Sequence, residues 1–190
     1  MFTPDVQWIE AFAEAIRNTM HRCGAAPNSC IEAACVGVGV AREFGFLVEP
    51  VPVAVHVLAG GQATVLPSPD GSSKRDSGFA GHLILHFPGA GMMVDLTADQ
   101  FHNPKRGLLV PGPMVGPVTR EQLTTGFGAD LPGGTKIGYR ELVGDVSWRV
   151  LPAWAEPSTL MTQMAVRELR ETTTTRRRPP RRRRAATQPR

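Results

Sequence analysis

The sequence is poor in cysteine, in lysine and in long apolar runs. Its three cysteines, an odd number confined to 13 residues, do not form the paired framework of a small secreted domain. No stretch approaches the ~20 apolar residues that cross a bilayer, and the N-terminus lacks the basic and apolar regions of a secretory signal. These absences argue against a disulfide scaffold and a membrane protein, and they lead us to expect a cytoplasmic location.

The motifs of common metal and cofactor sites are also missing. The sequence has no CxxC pair and no His/Cys pair at metal-ligand spacing. The glycine-containing stretch GVGVAREFG has neither the glycine spacing nor the lysine of a phosphate-binding loop. We therefore expect no bound metal and no cofactor.

Positive charge is concentrated at one end of the chain. Residues 171–190 contain eight of the 18 arginines and one glutamate, a net charge of +7, whereas the preceding 170 residues sum to −3. Such a tail has little apolar surface to bury, so we predict that it is disordered. Its Arg176–Arg184 stretch could contact a polyanion without sequence preference, but no aromatic residue is interleaved for base stacking.

Composition favours one mixed domain before this tail. Apolar residues make up 42% of the chain, enough for a core. The 20 glycines and 17 prolines argue against a helical bundle. We predict an α+β domain over residues 1–156, followed by a C-terminal helix over 157–170.

Two helices are predicted at the start of the chain. Apolar residues recur at helical spacing through residues 5–22. Asn28 or Ser29 can cap a second helix, which begins near Cys30 and ends before Gly45. This second helix is apolar on nearly every side, so we expect it to be the buried central helix of the domain.

Strands are predicted in the middle of the chain. Residues 50–59 alternate and are rich in valine, and 62–66 is typical of a short return strand. Residues 81–96 contain two apolar runs around Pro-Gly-Ala-Gly, which predicts a β-hairpin. Residues 108–134 fit no single element, and a last strand or pair is predicted over 136–151.

Cys30 is the best candidate nucleophile among the three cysteines. At the N-terminus of a helix, unpaired N–H groups and the helix dipole stabilise a thiolate. The same N–H groups could hold the oxyanion of an acyl intermediate. The alternative is that Cys30 is inert, as most buried free cysteines are. Cys23, in a loop, and Cys35, in mid-helix, are predicted to be structural.

The hairpin can bring a histidine and a carboxylate together. If its turn has an even number of residues, paired residue numbers sum to 179 and Asp95 faces Ile84. His82 and Asp95 are then diagonal neighbours on one face. Asp95 could orient the imidazole while His82 takes the proton of Cys30. A three-residue turn would separate them.

Other roles for these residues stay open. His86 shares the face of His82 and is also diagonal to Asp95. We favour His82 because it sits at the strand end, beside Gly81, which lets another backbone come close. Asp95 could instead cap the loop that follows it. The other histidines are weaker candidates: His21, His56 and His102.

Three segments in this order resemble the transglutaminase-like branch of the papain-like fold: PNSCIEAA, GHLILHF and MMVDLTADQF. The last is similar to small bacterial and phage members in which the acidic residue opens a D-x-T-x-x-Q stretch. The resemblance implies a papain-like core whose central helix packs on an antiparallel sheet. It also implies acyl transfer through a thioester, carried by a Cys30–His82–Asp95 triad. The side chains that could support the oxyanion are Asn28, Ser29 and Gln100.

Three functions remain open on this basis. The first is a cysteine enzyme that hydrolyses or transfers the acyl group of a peptide, amide or small acyl substrate. The second is a catalytically inactive domain of the same fold that acts in binding or assembly. The third is a nucleic-acid-associated protein, for which removal of residues 171–190 would abolish the activity.

Overall fold

The computed structural model describes residues 3–25, 29–67 and 79–176, and within them the fold is mixed α+β, with five helices and an antiparallel sheet. The helices are α1 (Val6–Arg22), α2 (Cys30–Glu43), α3 (Arg120–Thr125), α4 (Pro152–Ala155) and α5 (Thr159–Arg176). The strands are β1 (Glu49–Ala59), β2 (Gln62–Leu66), β3 (His82–Phe87), β4 (Met92–Asp95), β5 (Met114–Pro117), β6 (Phe127–Asp130) and β7 (Lys136–Glu141). None of the described helices has the length and apolar character needed to span a bilayer.

The sheet is organised around β1. Its strand order is β5-β4-β3-β1-β7-β6, and β2 also pairs with β1. Along one edge of β1, the first half pairs with β3 and the second half with β2. Along the other edge runs β7. Strand β3 therefore starts beside the middle of β1, where His82 lies opposite Val53.

Each face of the sheet has its own core. On the helical face, α1, α2 and α5 pack with the β3 side chains Leu83 and Leu85. On the other face, Ile84 packs with apolar residues of β1 and β7. Because side chains alternate along a strand, His82 and His86 lie on this second face with Ile84.

Helix α2 is the buried central helix, as predicted. Two glycines that lower its helix propensity allow close packing. A Cβ at Gly37 would lie 2.5 Å from the Leu85 side chain of β3, and one at Gly39 would lie 2.9 Å from Thr162 of α5. The glycines therefore let α2 approach the sheet on one side and α5 on another.

The last helix is longer than predicted. The sequence analysis ends it at residue 170, but α5 continues to Arg176 and packs on α1 and α2. Glu171 forms an ion pair with Arg167 at 3.1 Å, and the Thr173 hydroxyl donates to the Leu169 carbonyl at 2.8 Å. These local bonds support the added helical turn. The rest of the predicted tail, residues 177–190, lies outside the described residues.

The strand predicted over 136–151 is wrong beyond Glu141. Gly144, with a φ of 80°, turns the chain. Val146 and Val150, which lie within the predicted strand, are exposed. The chain there forms a 3₁₀ helix, Ser147–Val150, that buries Trp148.

Residues 108–134, which the sequence analysis left unassigned, hold β5, α3, β6 and a 3₁₀ helix, Pro132–Gly134. Helix α3 starts with a capping box, in which the Thr119 hydroxyl accepts from the Gln122 N–H and the Gln122 side chain accepts from the Thr119 N–H. Elements of four to six residues are too short to show a clear hydrophobic period.

Candidate active site

The β3–β4 hairpin has the predicted register. Leu85 pairs with Val94, so paired numbers sum to 179, and the connection, residues 88–91, has the predicted even length. His82 and Asp95 therefore lie on one face. The Nε2 atom of His82 is 2.8 Å from Oδ2 of Asp95, and both side chains are 0% exposed.

The His82 ring is fixed by packing. It forms a T-shaped pair with the Phe101 ring, with centroids 5.3 Å apart and planes 74° apart. A Cβ at the preceding Gly81 would lie 2.6 Å from the Leu142 side chain and 3.2 Å from Phe79. Gly81 therefore permits a close approach, but the approach is made by side chains and not by another backbone as predicted.

Asp95 uses its two oxygens for different partners. Oδ1 accepts the backbone N–H of Thr97 at 3.0 Å, which caps the following turn. Oδ2 accepts the hydroxyl of Tyr139 at 2.9 Å and also faces His82. The His82 Nε2 atom lies 2.8 Å from Oδ2, so the ring and the carboxylate form a buried pair. The two roles considered for Asp95 are thus compatible.

Cys30 reaches the same imidazole from the helical layer. It is the first residue of α2, and it is 4% exposed. Its thiol is a side-chain hydrogen-bond partner of His82. His82 is the first residue of β3, and a side chain at a strand end can be approached from both sides of the sheet. The structure therefore brings Cys30, His82 and Asp95 together.

The charge state of His82 follows from these contacts. Burial alone lowers the pKa of His82, because an imidazolium loses its hydration. The negative charge of Asp95 and the hydrogen bonds to Asp95 and Cys30 outweigh burial and raise the pKa of His82 from 6.5 to about 10. At neutral pH the ring is an imidazolium with Asp95 as its counter-ion, and an adjacent imidazolium favours a thiolate.

Gln100 lies against the other side of the ring. Its Nε2 atom is 2.6 Å from Nδ1 of His82. The 3₁₀ helix that carries it, Ala98–Phe101, is held by an ion pair between Asp99 and Arg17 of α1 at 3.0 Å. A primary amide can donate to a neutral imidazole or, after a half-turn, accept from an imidazolium. Gln100 can therefore follow either protonation state of His82.

The remaining oxyanion candidates are at the start of α2. Ser29 is its N-cap residue, and among the described contacts its side chain makes no capping hydrogen bond. Asn28 lies outside the described residues. The first-turn N–H groups of any α-helix have no acceptor within the helix, so those of α2 remain candidates for an oxyanion.

The rival histidine has another neighbour. His86 is 3% exposed, and its Nδ1 atom is 3.8 Å from Glu49. Burial lowers the pKa of His86, so this ring is neutral at pH 7. His86 therefore lies on the same face as His82, but beside Glu49 and not beside Asp95.

The other two cysteines have the surroundings of structural residues. The Cys35 thiol lies 3.8 Å from the carbonyl oxygen of Trp154, and burial raises the pKa of Cys35. The Cys23 sulfur lies 3.9 Å from that of Met164.

Tyr139 is the site residue that sequence reasoning missed. It was assigned only to a strand, and its contact with Asp95 spans β1 and β3 in the sheet order. Short-range patterns carry no signal for such a contact. The one available hint is that a buried tyrosine hydroxyl generally needs a partner.

Across the described residues, no group of three or more His, Cys, Asp and Glu side chains could hold a metal ion. No protein-family model, curated protein or solved structure matches the chain.

Proposed function

We propose that this chain is a cysteine acyl-transfer enzyme with a papain-like, transglutaminase-like core, in which Cys30 forms a thioester with a peptide, amide or small acyl substrate. The observation that carries the proposal is the position of His82 between Cys30 and Asp95. A histidine that only filled space would need no buried counter-ion and no thiol partner together.

The first half-reaction uses the thiolate and the imidazolium. The Cys30 sulfur attacks the carbonyl carbon, the S–C bond forms, and the carbonyl π electrons move to oxygen. First-turn N–H groups of α2 and the Gln100 amide are the donors for this oxyanion. As the intermediate collapses, the C–N bond breaks and the proton of His82 goes to the leaving amine.

The second half-reaction resolves the thioester. Water or a second amine attacks its carbonyl carbon, and neutral His82 takes the proton of the nucleophile. The C–S bond then breaks and returns the thiolate beside an imidazolium. Asp95 stabilises that imidazolium in both halves. Water gives hydrolysis, and an amine gives transfer.

One observation favours a catalytically inactive domain as the second candidate. Cys30 is 4% exposed, and His82 and Asp95 are 0% exposed, so a substrate needs an opening to reach the sulfur. If the site never opens, the same contacts serve only to hold the fold together.

The rate of Cys30 alkylation by iodoacetamide against pH, located by mass spectrometry, separates these candidates. For the enzyme, we expect an apparent pKa well below the free-thiol value of ~8.5, lost in His82→Ala and kept in His86→Ala, the matched control. Burial slows labelling at every pH. The comparison therefore uses the apparent pKa read from the rate–pH curve and not the maximum rate. If Cys30 labels no faster than Cys23, with no shifted pKa, the enzyme proposal fails.

The role of Gln100 is tested with two electrophiles. Alkylation by iodoacetamide forms no oxyanion, whereas acetylation by p-nitrophenyl acetate does. We expect Gln100→Ala to slow acetylation of Cys30 by ~10²–10³-fold and to change alkylation little. An equal loss with both reagents would show that Gln100 acts only through His82.

A further inference from the structure

Asp95 has a second buried partner on the oxygen that faces His82. The Oδ2 atom lies 2.8 Å from the His82 Nε2 atom and 2.9 Å from the Tyr139 hydroxyl. The other oxygen is held by the Thr97 N–H. The acyl-transfer mechanism proposed above depends on the contact between Asp95 and His82 and includes no role for Tyr139.

The fold brings Tyr139 to this point across the sheet. Between its strand, β7, and the strand of Asp95, β4, lie β1 and β3. Three strand spacings in a flat sheet amount to ~14 Å, so the contact requires the sheet to curl toward this face. The Tyr139 ring is stacked on Phe127, with centroids 5.3 Å apart and planes 20° apart, and the residue is 3% exposed. The hydroxyl is therefore held in place by packing.

This hydroxyl is a lasting donor. Burial, and after it the negative charge of Asp95 and the hydrogen bond to it, raise the pKa of Tyr139 well above its ordinary value of 10. The group stays protonated wherever the protein would be assayed. The Tyr139 hydroxyl donates to Oδ2 of Asp95, the same oxygen that faces His82. A carboxylate oxygen shared by two donors attracts each of them less strongly.

We propose that Tyr139 is a positioning residue of the proposed acyl-transfer site, whose hydroxyl shares Oδ2 of Asp95 with His82 and limits the negative charge that acts on the imidazolium. This inference depends on the proposed function for its catalytic meaning. An imidazolium held less strongly by its counter-ion passes its proton to the leaving amine more readily.

The groups that set the charge acting on the His82 ring come from four elements. Asp95 of β4 and Cys30 of α2 are the titratable groups that act on His82 of β3. Tyr139 of β7 acts through Asp95. Gln100, from the neighbouring 3₁₀ helix, touches the ring but carries no charge.

The first test uses the fact that Tyr139 is the only tyrosine in the chain. The ultraviolet absorbance of phenolate therefore reports this residue alone. We expect it to ionise above pH ~10 in the wild type and at lower pH in Asp95→Asn, which removes the negative charge and keeps Tyr139. An ordinary titration in the wild type, or no change in Asp95→Asn, would overturn the coupling between the two groups.

The second test follows His82 itself. In protein with isotope-labelled histidine, nitrogen NMR gives the titration of each ring. We expect Tyr139→Phe to raise the pKa of His82 by about half to one unit, as expected when one donor to a charged group is lost. Phe127→Leu, which loosens the packing and keeps the hydroxyl, is the matched control and should leave that titration in place.

A purely structural role would give a different result. Tyr139→Phe would then lower the melting temperature and leave the pKa of His82 unchanged, and this result would overturn the proposal. A fall in the pKa of His82 would overturn it too. So would an equal shift of that pKa in Phe127→Leu. Both titrations can be read whether or not Cys30 is reactive. An unshifted pH profile of Cys30 alkylation together with shifted titrations would therefore count against the proposed function alone.

Discussion

The two faces of the sheet are buried to a similar degree but differ in what they bury. The helical face is filled by side chains such as Leu83, Leu85 and Val36. The curled face also buries His82, His86 and Asp95. An apolar face costs nothing in desolvation, whereas each buried charge must be matched by a partner. The difference indicates that the helical face mainly stabilises the fold, whereas the curled face also carries the buried charged pair of the proposed site.

The largest effect should follow from unpairing the charges of the curled face. Asp95→Ala removes the counter-ion of His82 and leaves the Tyr139 hydroxyl only its 3.7 Å contact with the sulfur of Met114. We expect a loss of ~3–5 kcal/mol of unfolding free energy. Urea unfolding measures this loss. Asp95→Asn, which keeps an acceptor for Tyr139, should lose less. Equal losses would show that the charge of Asp95 accounts for the whole effect, and that its volume and acceptor oxygen add nothing.

A similar but purely apolar loss is expected on the helical face. Leu85→Ala removes a fully buried side chain against α2, at a cost of ~3 kcal/mol. Because Leu85 points away from the site, the pH dependence of Cys30 alkylation should not move. Urea unfolding and the alkylation profile test this together. A shifted profile would mean that the two faces are not separable.

A moderate effect is expected from pH, and it is cleanest in Cys30→Ala. His82 binds its proton more strongly in the folded chain, with a pKa of about 10 against 6.5. In Cys30→Ala the charge of Asp95 still raises the pKa of His82, but the hydrogen bond and charge of Cys30 no longer do, so the folded pKa lies below about 10. The stabilisation is complete below pH 6.5 and is lost as pH rises through this folded pKa. We expect stability to fall by up to ~1.4 kcal/mol per pH unit in that window, measured by urea unfolding.

The wild type supplies the comparison for that measurement. The proposed function requires a thiolate at Cys30 in the folded chain. Such a thiolate would have given up the proton that His82 has gained, so folding would change the proton count little until the unfolded thiol ionises near pH ~8.5. Wild-type stability should therefore stay flatter than that of Cys30→Ala below this pH. The same slope in both would argue for a neutral thiol.

The smallest effect is expected at the edge of the site. Arg17 and Asp99 are partly exposed, so Asp99→Asn should cost less than ~1 kcal/mol in urea unfolding. The pair nevertheless holds the 3₁₀ helix that carries Gln100, and acetylation of Cys30 should slow more than alkylation does. No change in either reaction would show that Gln100 is placed without this ion pair.

Local patterns were sufficient for the first half of the molecule. The valine-rich alternation of β1, the apolar period of α1 and the arithmetic of the β3–β4 hairpin were all confirmed. The hairpin register is what places His82 beside Asp95, and it depends only on turn length. That juxtaposition could therefore be predicted from the sequence.

The second half depended on contacts between distant residues. Elements such as β5, β6 and α3 are too short to show a period, and they are stabilised by pairing with β4 and β7. Curling of the sheet brings Tyr139 to Asp95 across two strands. The sequence analysis ended α5 too early because its last residues, threonines and an arginine, show no apolar periodicity. The helix itself is supported by packing on α1.

The division of work between the two oxygens of Asp95 has a consequence for mutational tolerance. One oxygen caps a turn and the other serves the imidazole, so a library of variants should reject changes at Asp95 under selection for folding alone. Changes at Cys30 should be rejected only when the selection requires the proposed acyl-transfer activity. Lineages that abandon catalysis would then be expected to lose the cysteine first and to retain the aspartate.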